Sequence, residues 1–215
     1  MEASRALDAI RQCGIIAVLR GDFPPDRAAA VCDVLLEAGI SVVELTCNSP
    51  GWQDSLPALR QRFGDTLLVG MGTVLNPVQV RQALDCGAQF LVSPILDAAS
   101  VSTAHAAGVL MAPGAATPTE AVTAAALGCK LIKFFPAGAL GVNYFRAMRG
   151  PLDDLAFTCN GYMHVGNIGD FLRAGAAACG VAGDGLAGNG SRPLDEIRAT
   201  AREIMAVVQE TRTTA

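Results

Sequence analysis

Eight short apolar runs, each followed by a longer amphipathic stretch, limit most strongly what this chain can fold into. They cover residues 15–19, 42–45, 67–69, 90–92, 109–111, 131–135, 155–159 and 177–181. Their starts lie about two dozen residues apart, room for one strand, one helix and short loops. Helical periodicity occupies 26–38, 77–86, 118–127 and 193–208 among the intervening stretches. Gly39, Gly87, Gly108, Gly128 and Gly175 stand where such helices should end, as left-handed caps do. Pro77, Pro118 and Pro193 fall at first turns, where a missing N–H costs nothing.

Eight β-then-α units predict an α/β fold, a single (β/α)8 TIM barrel near the short end of the known length range. An open doubly wound sheet alternates in the same way, but it does not call for eight units, and no GxGxxG follows the first run. No linker or composition break divides the 215 residues, so one domain over 1–215 is expected.

Composition removes several classes of function. Hydrophobic residues make up 51% of the chain, so a large core is easily formed and disorder is not expected. Net charge is −4 with no basic cluster, which argues against nucleic-acid binding. No apolar run is long enough to span a membrane, and residues 1–11 lack a signal-peptide core. The seven cysteines are odd in number and form no CxxC, which suits reduced thiols rather than disulfides or zinc. A soluble cytoplasmic protein is expected.

Lysine usage points to chemistry. Of 16 basic residues only Lys130 and Lys133 are lysines, and both lie in or beside one apolar run. Period two along a strand puts Lys133 on a face with Leu131 and Phe135, and Lys130 on the other. Likewise Ile16, Val18 and Arg20 share a face, as do Val42, Glu44 and Thr46. Arg20, Glu44 and Lys133 can thus converge at the C-terminal mouth of the barrel, where functional groups of this fold sit. Unpartnered buried charges are prohibitive, so the three should pair or serve a substrate. A lysine among apolar neighbours loses its proton more readily, and a neutral amine can form an imine with a ketone. Glu44 is the one acid in an inward pattern and suits proton transfer beside that imine, with Arg20 holding a carboxylate or orienting Glu44. A purely structural Lys–Glu pair would leave the same pattern. Lys130 reads as a residue reaching solvent, and His105 as a helix surface residue.

The strings "IIAVLRG", "VVELTCNSPGW", "GMGTVLNP", "FLVSP", "APGAATPTEA" and "KLIKFFPA" run in order from Ile15 to Ala137. In them the chain resembles the aldolases for 2-keto-3-deoxy-6-phosphogluconate and 2-keto-3-deoxy-6-phosphogalactonate. The resemblance implies a barrel, usually a homotrimer, no metal and no cofactor, and reversible class I cleavage to pyruvate and an aldehyde. It implies Lys133 as Schiff-base lysine and Glu44 as general acid/base. Arg20, Thr73, Pro94 and Thr117 match positions around pyruvate, with Phe135 beside the lysine. Asn48 stands where the gluconate enzymes carry arginine, which is similar to the galactonate branch.

The last third departs from that pattern. The family places a Gly-Gly pair after strand seven and a Gly-Ser after strand eight around the substrate phosphate. Here the segments are "CNGYMHVGNIGDF" and "VAGDGLAG", so Asn160 replaces the first glycine before Gly161, and Asp184 follows Gly183 in place of serine. An aspartate facing a phosphate would repel it. One reading is a retained pyruvate half with a changed aldehyde half, in which Asn160, His164 and Asp184 recognise hydroxyls or a cation. The other is a rearranged loop with Asp184 directed elsewhere and phosphate held by backbone N–H groups. Beyond the aldolase reading stand a 4-hydroxy-2-oxoglutarate aldolase or oxo-acid decarboxylase using the same lysine, and a catalytically silent barrel that binds a sugar acid.

Overall fold

The computed structural model describes residues 3–213. Its elements in chain order are α1 (Ala3–Cys13), β1 (Ile15–Leu19), α2 (Pro25–Glu37), β2 (Val42–Thr46), α3 (Trp52–Phe63), β3 (Leu68–Gly72) and α4 (Pro77–Asp85). They continue with β4 (Phe90–Val92), α5 (Ala98–Ala106), β5 (Leu110–Ala112), β6 (Gly114–Ala115), α6 (Pro118–Ala126) and β7 (Ile132–Phe134). The last are α7 (Ala137–Leu140), α8 (Val142–Arg149), β8 (Phe157–Asn160), α9 (Val165–Arg173), β9 (Ala178–Ala182) and α10 (Leu194–Thr213).

The pairings are parallel, in the order β5-β4-β3-β2-β1-β9-β8-β7-β6. The two ends of that order are neighbours in the chain, separated by Pro113 alone. Proline has no N–H to donate, so the expected fifth strand is recorded as two pieces. The ladder nevertheless runs through it. The carbonyl of Ala112 accepts from Ser93 at 3.0 Å, and that of Pro113 accepts from Lys133 at 2.8 Å. The segment therefore bonds to β4 on one side and β7 on the other, which closes the barrel and excludes the open sheet.

Two further details differ from the sequence expectation. The run at 155–159 becomes a strand only from Phe157, because Leu155 is held in a turn by its N–H to the Leu152 carbonyl. At the start of the chain, α1 buries Ala6, Leu7, Ile10 and Cys13 and packs on β1, β2, β5 and β9. It leads directly into β1, so it covers the N-terminal end of the barrel and leaves the opposite end for a site. The five expected cap glycines all have left-handed φ. Strands β1 to β8 are buried throughout, as a barrel surrounded by helices requires. All seven cysteines are free thiols, and no helix among the described residues is long and apolar enough to cross a membrane.

Candidate active site

Glu44 and Lys133 occupy the middle of β2 and β7, and both point into the barrel, 1% and 3% exposed. Among the described residues, neither carboxylate oxygen of Glu44 has a hydrogen-bond partner. Burial pushes its pKa upward, while the positive charges of Lys133 and Arg20 pull against that shift. Burial lowers the pKa of Lys133, opposed by Glu44 and reinforced by Arg20. The lysine nitrogen lies 5.0 Å from the centre of the Phe135 ring, within cation–π range. Both groups are thus held toward their neutral forms. A buried acid with two unengaged oxygens is unusual, and such perturbed groups cluster at functional sites.

Room for Glu44 comes from Gly72 at the end of β3. A Cβ at that position would lie 1.6 Å from Glu44 Oε1. Gly72→Ala is therefore expected to displace the carboxylate and to destabilise the barrel by about 1–3 kcal/mol, the usual cost of overpacking. Thermal melting and a rate assay check this. Unchanged stability with unchanged activity would place the carboxylate elsewhere.

Arg20, just past β1, remains exposed, so the expectation of three buried charges holds for two. The first residue after a barrel strand already reaches the mouth, and the guanidinium extends to solvent. It donates from Nη2 to Thr73 Oγ1 at 3.3 Å. Thr73 follows β3 with φ +57°, an outlier for a β-branched residue.

One cavity of about 260 Å³ is lined by Arg20, Glu44, Lys133, Phe135, Asn160 and Gly161 among others. This size falls just below the usual range of ligand pockets, about 300–1,000 Å³. Thr73 joins it through Arg20. Asn160 is the last residue of β8, not a loop residue, and is 3% exposed. Its Oδ1 accepts from Thr158 Oγ1 at 3.0 Å. A Cβ on Gly180 of β9 would fall 1.9 Å from its Nδ2, so the amide rests over that glycine.

The remaining candidates lie outside this lining. Pro94 borders a neighbouring hollow on the other side of Phe135. Thr117 is exposed and caps α6 in a reciprocal arrangement with Glu120. Asn48 is exposed in the turn after β2. His164 is exposed and caps α9, its Nδ1 accepting from the Gly166 N–H at 3.1 Å. Gly183 starts the loop after β9, bridged to Gly188. Asp184 is exposed and lines a different hollow with Asn189, Ser191, Arg192 and Glu196. Lys130 and His105 are both exposed. No cluster of potential metal ligands occurs among the described residues.

Val18 lines the cavity on the face that strand alternation shares with Arg20, while Tyr162, Gly180 and Ala182 in the cavity wall were missed. Gly180 and Ala182 carried a period-two signal. Tyr162 carried none. Gly161 and Tyr162 have φ +91° and +56°, so the consecutive left-handed pair stands there, one residue later than the placement that put Asn160 at the first glycine. Holding a non-glycine residue in this conformation costs roughly 1–2 kcal/mol.

A model of the family described as "Aldolase: KDPG and KHG aldolase" matches residues 7–198. The chain belongs to the KDPG and KHG aldolase family. The 2-dehydro-3-deoxy-6-phosphogalactonate aldolase of Escherichia coli K12 is 37% identical over 171 residues, covering 79% of this chain and 83% of that protein. The 2-dehydro-3-deoxy-phosphogluconate aldolase of Treponema pallidum is 32% identical over 177 residues, 81% of this chain and 82% of that one. A solved structure described as native KDPGal superposes with TM-score 0.87 at 33% identity, covering 93% of this chain and 96% of the other. This member of the aldolase family thus has the barrel that its sequence motifs implied.

Proposed function

We propose that the protein is a class I aldolase that cleaves a 2-dehydro-3-deoxy sugar acid to pyruvate and an aldehyde through an imine on Lys133. The reading is carried by one observation: a buried lysine and a buried, hydrogen-bond-free glutamate facing one closed-ended cavity. The Lys133 amine attacks the C2 ketone, and loss of water with uptake of one proton gives the iminium, whose positive charge favours the ionised Glu44 carboxylate. Glu44 takes the proton of the C4 hydroxyl, the C3–C4 bond breaks, and its electrons pass to the iminium nitrogen. The aldehyde leaves. The resulting enamine takes a proton at C3 from Glu44, and water releases pyruvate from Lys133. Arg20, positioned by Thr73, pairs with the C1 carboxylate. Burial lowers the pKa of the amine and raises that of the acid, which suits nucleophile and proton carrier.

Incubation with pyruvate and borohydride tests the reading, since reduction traps the imine. A single pyruvate adduct mapped to Lys133 is expected. No adduct, or one on Lys130, would remove the mechanism.

We also propose a homotrimer, which rests on the family. Exposed Leu75, Val78, Ile95 and Val122, after β3, β4 and β6, suit burial against a second copy. Light scattering is expected to give the mass of three 22.1 kDa chains, and a monomer at micromolar concentration would refute it.

A further inference from the structure

The loop that follows β8 at the cavity rim carries an unexplained residue. Tyr162 is left-handed at φ +56° and 78% exposed. Its loop is held by groups that do not depend on its side chain. The Gly161 carbonyl accepts from Gly138 N–H at 2.9 Å, and the Tyr162 carbonyl accepts from Asn167 Nδ2 at 2.9 Å. The phenol makes no hydrogen bond and the ring no aromatic contact with the described residues. Glycine would fit this backbone better. The side chain therefore adds strain and little packing, and strained residues of this kind gather at ligand sites. What Tyr162 does is line the cavity that holds Lys133.

Charge sorts the cavity wall by strand. The ionisable groups come from β1, β2 and β7 as Arg20, Glu44 and Lys133. The β8–β9 side contributes Asn160, Gly161, Tyr162, Gly180 and Ala182, none of them charged. Cations near that side are engaged elsewhere. Arg192 donates to the carbonyls of Asp184 and Leu186 and to Thr200. Arg27 donates to the carbonyls of Gly190 and Arg192. The resemblance places a glycine pair around a phosphate there, whose bare backbone N–H groups an ester can approach. Here the left-handed pair is Gly161 and Tyr162, so a bulky side chain stands on that backbone, and no unengaged cation on this side compensates among the described residues. An amide and a phenol are complementary to hydroxyls instead.

We propose that Tyr162, with Asn160, sets the aldehyde specificity of this protein, and that the β8–β9 side takes an uncharged hydroxylated aldehyde in preference to a phosphate ester. This inference rests on the imine chemistry at Lys133. It makes Tyr162 a specificity-determining residue whose phenol contacts the distal hydroxyls of the sugar acid.

The experiment measures kcat/KM for a 2-dehydro-3-deoxy sugar acid and its 6-phosphate ester with the full-length wild type, Tyr162→Gly and Tyr162→Phe. Wild type is expected to favour the unphosphorylated acid. Tyr162→Gly should shift the ratio of the two kcat/KM values toward the ester by about tenfold, through KM, the scale of one lost hydrogen bond. Tyr162→Phe should reproduce the loss on the unphosphorylated acid, because it removes only the hydroxyl. Tyr162→Gly relieves backbone strain and should melt no lower than wild type. A wild-type preference for the ester, or an unchanged ratio in Tyr162→Gly, overturns the proposal. Pyruvate trapping on the wild type separates the two levels. A protein that forms the Lys133 adduct yet prefers the ester refutes the specificity alone, and one that forms no adduct refutes the underlying chemistry.

Discussion

Lys133→Ala is expected to lower kcat for aldol cleavage by about 10⁴-fold or more, the scale seen when a covalent nucleophile is removed. It should also abolish the borohydride-trapped pyruvate adduct. Lys133→Arg should be equally inactive, because guanidinium stays protonated at any working pH and cannot form the imine. Charge at that position is therefore not the requirement; a primary amine that can lose its proton is. Burial supplies that property by disfavouring the ammonium. Lys130→Ala serves as the matched control. Lys130 is exposed, outside the cavity lining, and its removal should leave the rate as it is. Pyruvate release measured across these three variants decides the matter. Substantial cleavage by Lys133→Ala would mean that the cavity acts without an imine.

Glu44→Gln is expected to reduce kcat by about 10²–10⁴-fold, the usual contribution of a positioned acid/base, while pyruvate still becomes trapped on Lys133. Glutamine keeps the shape beside Gly72 but can neither take the C4 hydroxyl proton nor return one to C3. A loss of trapping together with turnover would instead assign Glu44 to imine formation.

The same pair bears on stability, with signs that follow from the shifts. Glu44 has a raised pKa in the fold, so its contribution is full below the unfolded value of about 4.3 and is lost as pH rises through the folded value. Lys133 has a lowered pKa, so its contribution is full above about 10.4 and is lost as pH falls through the folded value. Across the neutral range both count against the fold. Glu44→Leu/Lys133→Met is therefore expected to melt several degrees higher than wild type at pH 7, at about 2–4 °C per kcal/mol for a chain of this size. Toward pH 4 the part due to Glu44 should disappear. A double variant that melts lower at pH 7 would show the pair to be a structural ion pair.

Much of the site was legible because strands obey a strict period. Alternation puts Val18 on the face of Arg20 and Phe135 on the face of Lys133 once the strands are placed. Family strings from Ile15 to Ala137 carried the aldolase reading for the same reason, since residues in strands and first turns keep their spacing. Helix ends were also legible, because a left-handed cap is a local demand that glycine meets at Gly87 or Gly128 without reference to the rest of the chain.

Loops obey no such period. Whether Asn160 belongs to β8 or to the turn depends on its bonds to β9, and whether Asp184 faces the cavity depends on how the segment after β9 docks on Arg192. The left-handed Tyr162 could not be foreseen, since tyrosine disfavours that conformation and only the pinned carbonyls around it impose it. Closure across Pro113 and the space that Gly72 leaves for Glu44 are likewise contacts between residues distant in sequence. Residue order alone determined the alternation and the inward faces of Glu44 and Lys133, because those follow from local backbone geometry. Tertiary structure alone decided which loop residues line the cavity, because loop side chains take their direction from the elements they pack against.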